Sequence, residues 1–274
     1  MPLAAPEIDF LRETIARRSG NVISESQSYL LEARLSPIAR TAGLPDIRAL
    51  VDELRKNPSH VLHDKVTEAM TINETSFFRD MAPFEALRDH ILPELVKSRE
   101  PQRQISIWSA ASSSGQEAYS IGIILRTNYG HLKDWDFRIL GTDFSDEMVT
   151  RTRDGLYTQF EVNRGLPAPM LVRNFDKVGM NWRVKPELAS MVEARKMNLT
   201  ENWLNTAKHD VVFLRNVLIY FDVKVKEQIL RRVHQSMRPD GYLFLGGGEA
   251  LVKLDVPFER STIGKTVCFR PVAK

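Results

Sequence analysis

From Ile105 onward, short β-branched apolar runs alternate with longer amphipathic ones, and this rhythm constrains the fold more than any other feature of the chain. Ile105 to Ser109 has the pattern of a strand, Gln116 to Asn128 of a helix and Phe137 to Thr142 of a second strand. Ser145 stands where an N-cap belongs for a helix reaching about Asp154. Asp210 to Leu214 is then expected as a strand, Val223 to Met237 as an amphipathic helix, and Tyr242 to Leu245 as a strand after a turn at Pro239-Asp240-Gly241. Such alternation implies a parallel sheet covered on both faces, a doubly wound, Rossmann-like α/β fold. Phe258 to Arg270 is expected to close it with antiparallel strands around Gly264-Lys265.

Residues 7 to about 70 behave differently. Ile8, Leu11 and Ile15, then Tyr29, Leu30, Leu31, Leu35 and Ile38, recur at helical spacing, and Gly20, Gly43-Leu44-Pro45 and Asn57-Pro58 punctuate them into short helices. A small all-α domain over 1–75 is expected, followed by the α/β domain over 76–274. A helix is expected from about Pro83, at a first-turn position that tolerates proline, to Ser98. Between Tyr157 and about Glu193 the rhythm lapses around Gly165, Pro167, Pro169, Gly179 and Pro186, which suggests a small β-rich insertion over about 157–193.

Bulk properties exclude several function classes. A net charge of +3 is too small for a nucleic-acid-binding face. No apolar run approaches the roughly 20 residues of a membrane span, and Glu7, Asp9, Arg12 and Glu13 occupy the place of a signal peptide's apolar stretch. The single cysteine, Cys268, excludes an intrachain disulfide and lies in a strand-like setting that favours a buried, inert thiol. A cytoplasmic protein is expected. The six histidines form no metal set, and His60 and His63, near Asp64, are expected on a solvated helix face.

Chemistry is expected at the carboxyl ends of the strands, where doubly wound folds leave a crevice. The loop after the first strand contains only one glycine, Gly115, and so lacks the G-x-G-x-x-G pattern of a dinucleotide site. Asp143 ends the next strand, where a carboxylate can accept hydrogen bonds from both ribose hydroxyls of an adenosine cofactor, or can serve as a turn residue before the Ser145 cap. Glu117 opens the first helix, placed for a cofactor's amino-acid portion or as an acid favoured by the helix dipole.

The run Thr71-Ile72-Asn73-Glu74-Thr75-Ser76-Phe77-Phe78-Arg79-Asp80 orders polar, charged and aromatic residues as neither a core helix nor a linker requires. It resembles the "NETxFFR" segment of the chemoreceptor glutamate methyltransferases, the CheR family. Trp108 to Ser120, Leu140-Gly141-Thr142-Asp143 and Leu214 to Asp222 follow in the family's order and spacing, so the resemblance covers nearly the whole chain. It implies S-adenosyl-L-methionine as cofactor, S-adenosyl-L-homocysteine as product and no metal. Asn73, Thr75 and Arg79 are implied at the cofactor site, with Arg79 near the reacting centre. Ala110, Glu117 and Asp143 join them, as do Arg215 and Asn216 at the fourth-strand end and the pair Asn198-Leu199 against the adenine. Tyr220 is implied near the methyl donor, although its apolar neighbours equally suit a core aromatic. Phe77 and Phe78 are expected to pack between the two domains. One departure stands out: Ala111 replaces the family's usual glycine.

The resemblance implies methyl transfer to glutamate carboxylates of a chemoreceptor's cytoplasmic helical domain. A carboxylate with an ordinary pKa of about 4.3 is already ionised and needs no general base. In the family a basic helix of the N-terminal domain contacts the receptor, and here the corresponding segment offers Arg34 and Arg40 against Glu32. Phe175 to Arg183, short and with one glycine, resembles members that do not grip a receptor's C-terminal pentapeptide. The alternative is a cofactor-sensing or scaffolding module with little turnover. A nitrogen methyltransferase is disfavoured, because Arg215-Asn216-Val217 stands where an Asp/Asn-Pro-Pro-Tyr motif belongs.

Overall fold

The computed structural model describes residues 3–203 and 208–272. They form two compact units. The first comprises the chain up to Ile72 together with Asn198–Glu201 and Tyr220–Lys226. Its helices are α1 (Ala5–Ser19), α2 (Tyr29–Thr41), α3 (Ile47–Lys56) and α4 (Leu62–Ala69). Gly20 ends α1 in the left-handed region at φ 73°, and a Cβ there would lie 2.7 Å from Thr200 and 3.0 Å from Phe221. The Asp46 side chain caps α3 by accepting from the Ala49 N–H at 2.9 Å. Leu11, Ile15, Leu31, Leu35, Leu50, Val51 and Val66 form this unit's core. His63 departs from the solvated position expected for it: it is buried, and its Nε2 faces the Leu54 carbonyl at 3.1 Å.

The second unit holds Asn73–Met197, Asn202–Ile219 and the chain from Glu227 onward. The expected first helix is there, but a π turn over Leu87–Ile91 separates α5 (Ala82–Ala86) from α6 (Leu92–Ser98). Pro93 sits just beyond that turn, and a proline without an N–H is accommodated where the ordinary ladder is already interrupted. There follow β1 (Gln104–Ala110), α7 (Gln116–Tyr129), β2 (Asp136–Asp143), α8 (Asp146–Asp154), β3 (Leu156–Thr158), α9 (Gln159–Asn163), α10 (Ala168–Asn174), β4 (Phe175–Val178), β5 (Asn181–Val184), α11 (Pro186–Ala189) and β6 (Val192–Lys196). The chain continues through β7 (His209–Leu214), α12 (Val223–Ser236), β8 (Met237–Leu245), β9 (Phe258–Ile263) and β10 (Thr266–Pro271).

The main sheet has the order β6-β2-β1-β7-β8-β10-β9. The first five strands are parallel, and β10 runs antiparallel to both its neighbours. β7 is buried along its whole length, as a central parallel strand covered on both faces must be. A second sheet, β3-β5-β4, is antiparallel and occupies the segment where the rhythm lapses. That small sheet ends at Val184, and Val192–Lys196 already pairs with β2, so the main sheet resumes inside the range 157–193. β8 also starts earlier than expected. Met237 pairs with His209, and Arg99 holds the Asp240 carboxylate at 2.6 Å, so the Pro239-Asp240-Gly241 segment is a bulged strand and not a free turn.

Phe77 and Phe78 belong to the second unit's own core, a correction to their expected place between domains. Phe77 meets Tyr157 and Phe175 edge-on at ring-centre distances of 5.1 and 5.6 Å, and Phe78 meets Phe84 at 5.4 Å. The backbone at Phe77 also lies against Gly165, whose φ is 90°. A Cβ on Gly165 would stand 2.0 Å from the Phe77 carbonyl oxygen. Gly165→Ala is therefore expected to destabilise the protein by roughly 3 kcal/mol or more, from the clash and the left-handed backbone together. Denaturant unfolding checks this, and a midpoint equal to that of the unsubstituted protein would contradict the packing described.

Candidate active site

The sheet's carboxyl edge gathers most of the residues singled out from the sequence. Ala110 ends β1, Asp143 ends β2 and Arg215 follows the last residue of β7. Their loops are held in unusual conformations. Seven non-glycine residues have positive φ among the described residues, and five of them lie here: Phe78 (49°), Asp80 (54°), Ala111 (56°), Ser113 (51°) and Asn216 (60°). Each costs about 1–2 kcal/mol and persists only where surrounding contacts over-determine it. Such strain concentrates at functional edges.

Those contacts are specific. The Asp143 carboxylate accepts from the Ser113 N–H at 2.8 Å and the Ser145 N–H at 3.0 Å, while the Ser145 hydroxyl caps α8. The Ser112 N–H donates to the Thr142 carbonyl at 2.8 Å. The Ser113 hydroxyl donates to the Asn73 carbonyl at 2.7 Å, so one serine joins the Thr71–Asp80 segment to Asp143. Tyr157 donates to the Ser114 carbonyl at 2.6 Å, and Thr152 to that of Ser113 at 3.1 Å. Burial pushes the Tyr157 hydroxyl well above its ordinary pKa, so it remains a donor.

Arg215 is the hub. Its side chain is 1% exposed, and it donates to Glu117 Oε2 at 2.9 Å, to Asp80 Oδ2 at 2.8 Å and to the Arg79 carbonyl at 2.8 Å. The other Glu117 oxygen accepts from the Ser109 hydroxyl at 2.8 Å. Arg215 and Glu117, both read from sequence as cofactor contacts, are thus engaged with one another inside the protein. Asp80 pairs with Arg215 and not with Arg79. Arg79 is half-buried, and its Nη1 donates to the Glu74 carbonyl at 2.9 Å.

Glu249 went unnoticed in the sequence. Its Oε2 accepts from the N–H groups of Asn216 and Gly246, at 2.8 and 2.7 Å, and its Oε1 from that of Ile219 at 3.3 Å. It fixes the left-handed turn at Asn216, and a Cβ on Gly246 would lie 2.6 Å from the Asn216 side chain. The flanking Gly246-Gly247-Gly248 was the available signal. After this internal bonding, the half-buried side chains of Asn73, Thr75 and Asn216 have no hydrogen-bond partner among the described residues.

Asn198, Leu199 and Tyr220 belong to the first unit. The Asn198 amide donates to the Arg18 carbonyl at 2.7 Å and its oxygen accepts from Thr200, while Leu199 is buried. Tyr220 ends a 3₁₀ turn, half-buried, and its carbonyl accepts from the Val22 N–H at 3.0 Å. Arg34 donates to the carbonyls of Ala69 and Thr71 at 3.3 and 2.9 Å, which makes it a brace within its unit. Cys268 is fully buried as expected, and burial raises its thiol pKa.

Ala111 carries a Cβ at a left-handed φ of 56°. Ala111→Gly is expected to change stability by less than about 1 kcal/mol, since the strain relieved is offset by the greater flexibility of unfolded glycine. Glu249→Ala strands three N–H groups and is expected to cost roughly 2–4 kcal/mol. Thermal or denaturant unfolding of both variants reads the difference, and equal midpoints would remove Glu249 from its role as a pin.

No group of three or more His, Cys, Asp or Glu residues able to hold a metal occurs among the described residues. Residues 73–267 match the family described as CheR methyltransferase, SAM binding domain, and residues 6–71 match the CheR methyltransferase, all-alpha domain. The chemotaxis protein methyltransferase Cher2 of Pseudomonas putida is 40% identical over 256 residues, covering 91% of this chain and 92% of that one. Chemotaxis protein methyltransferase 1 of Pseudomonas aeruginosa is 38% identical, with coverage of 98% and 99%. The chemotaxis protein methyltransferase of Salmonella typhimurium is 33% identical, with coverage of 97% and 91%. Two domain matches in sequence, together spanning nearly the whole chain, and relatives of matching length lead to one conclusion: the chain belongs to the CheR methyltransferase family, whose cofactor is S-adenosylmethionine.

Proposed function

We propose that this protein methylates glutamate carboxylates in the cytoplasmic helical domain of a chemoreceptor, forming the methyl esters of chemotaxis adaptation. The observation that carries this is the set of half-buried polar side chains with no protein partner among the described residues, Asn73, Thr75 and Asn216, on a strained carboxyl edge that also presents Asp143. This donor and acceptor set fits a ligand with ribose hydroxyls and an amino-acid end. Asp143 would accept from the ribose, Asn73, Thr75 and Asn216 would bond the remaining polar groups, and Ala110 would line the pocket. S-adenosylmethionine, when bound, supplies an electrophilic methyl group on a sulfonium.

The remaining work is orientation. A glutamate carboxylate is ionised at neutral pH, so no proton need be removed. Arg79 spends one nitrogen on the Glu74 carbonyl and keeps the rest of its guanidinium for the substrate carboxylate, a planar fork matched to two oxygens. The hydrogen bond from Arg215 to the Arg79 carbonyl fixes the backbone from which that fork projects. Glu117 holds Arg215 and acts on the cofactor through it. The alternative of a sensor or scaffold gains nothing from Ala111, because that residue adopts the left-handed conformation a glycine would take.

The domains are placed at 1–75 and 76–274, with an insertion about 157–193, and the protein acts in the cytoplasm. No helix among the described residues is long and apolar enough to cross a membrane. Gly179 and Met180 join β4 to β5 in a tight turn, too short to grip a receptor's tail peptide, so methylation without such a tether is expected.

Incubation with labelled methyl donor and receptor cytoplasmic domains tests the reading. Label should enter protein and leave under mild alkali, as an ester does. Under saturating donor, turnover should be nearly flat between about pH 6 and 8.5, since carboxylate and guanidinium both keep their charge there. A lysine acceptor would instead give a steep rise. Arg79→Lys is expected to lower turnover roughly 100-fold with donor affinity retained. Asp143→Ala should weaken S-adenosylhomocysteine binding by roughly 10- to 100-fold, through lost ribose acceptors and a released Ser113 loop. A steep pH profile with an active Arg79→Lys variant would defeat the carboxylate mechanism.

A further inference from the structure

Beside the carboxyl end of β8, the strands β8, β10 and β9 leave a groove of about 550 Å³. Leu245, Val267 and Phe269 contribute an apolar lining, and Val252, 75% exposed, adds to it. Arg260 on β9 stands opposite Phe269 of β10 in the antiparallel register, so the two share one face of the sheet. Lys265, in the turn between those strands, also lines the groove. Neither cation has a hydrogen bond or ion pair among the described residues. The carboxylate lining the same groove, Glu249, is bonded to backbone N–H groups and forms no ion pair with either cation.

An apolar lining with two unspent cations is complementary to an amphipathic segment bearing carboxylates. The groove contains Glu249, which accepts from the N–H groups of Asn216 and Ile219, so it adjoins the strand end assigned to chemistry. We propose that the groove between β8 and β9 docks an acidic amphipathic helix of the methyl-accepting protein, with Arg260 and Lys265 pairing its carboxylates and Val252 and Val267 meeting its apolar side chains. This rests on the reading of the substrate as a helical protein rich in glutamate.

The test uses the full chain, a receptor cytoplasmic domain and labelled donor. The double variant Arg260→Glu with Lys265→Glu should raise KM for the receptor domain about 10-fold, with kcat and S-adenosylhomocysteine affinity within about two-fold of the unsubstituted protein. Added salt should raise the KM of the unsubstituted protein and barely alter that of the double variant. Val252→Asp, uninvolved in the fold's core, should also raise KM. An unchanged KM in the double variant would overturn the groove alone, leaving carboxylate methylation intact. A dimer in solution that the double variant dissolves would assign the groove to a second copy and equally overturn it. Tight S-adenosylhomocysteine binding with no transfer to any receptor domain would overturn the functional reading and the groove together.

Discussion

One buried guanidinium organises the second unit. Arg215 joins the end of β7, the first turn of α7 and the turn at Arg79 and Asp80, three places far apart in sequence. Desolvating an arginine is costly, and the cost is offset only because Glu117 and Asp80 supply two carboxylates and the Arg79 carbonyl a third acceptor. Removing one partner from such a set leaves an uncompensated charge, at roughly 3–5 kcal/mol. The backbone at Arg79 is therefore held by a side chain from the end of β7, 136 residues further along the chain.

Around that hub, the strand-end loops behave as one tensioned assembly. Ala111, Ser113 and Asn216 hold left-handed conformations that each residue on its own would leave. Asp143 and Thr142 fix the first loop, and Glu249 the last. Bonds spent in this way satisfy buried N–H groups that would otherwise be orphaned, and the side chains of Asn73, Thr75 and Asn216 are left without a partner among the described residues. A site with its backbone fixed in advance loses little conformational entropy on binding.

Much of this architecture was legible in the sequence because it depends on local pattern. The strands at Ile105, Phe137 and Asp210 and the Ser145 cap announce themselves through periodicity and capping chemistry. β6 did not, because Val192–Lys196 is an edge strand of mixed charge whose only sheet partner is β2. Nor did the strand character of Pro239 to Gly241, where Arg99, 141 residues earlier in the chain, bonds the Asp240 carboxylate. At the site, sequence placed Asp143, Glu117 and Arg215 on the right edge but could not say that two of them bind each other. That pairing bridges 98 residues and leaves no local trace. Glu249 escaped for the same reason, since its role lies in three N–H groups whose positions only the fold determines.

Glu249 has one foot in each of two events. It lines the groove between β8 and β9, and its carboxylate sets the turn that presents Asn216. A body seated in the proposed groove and a ligand bonded to Asn216 would therefore press on the same three hydrogen bonds. By thermodynamic reciprocity, whatever one occupant does to the other's affinity is returned in equal measure. On the proposed reading the strand end would join recognition of one molecule to retention of the other, through the single carboxylate of Glu249.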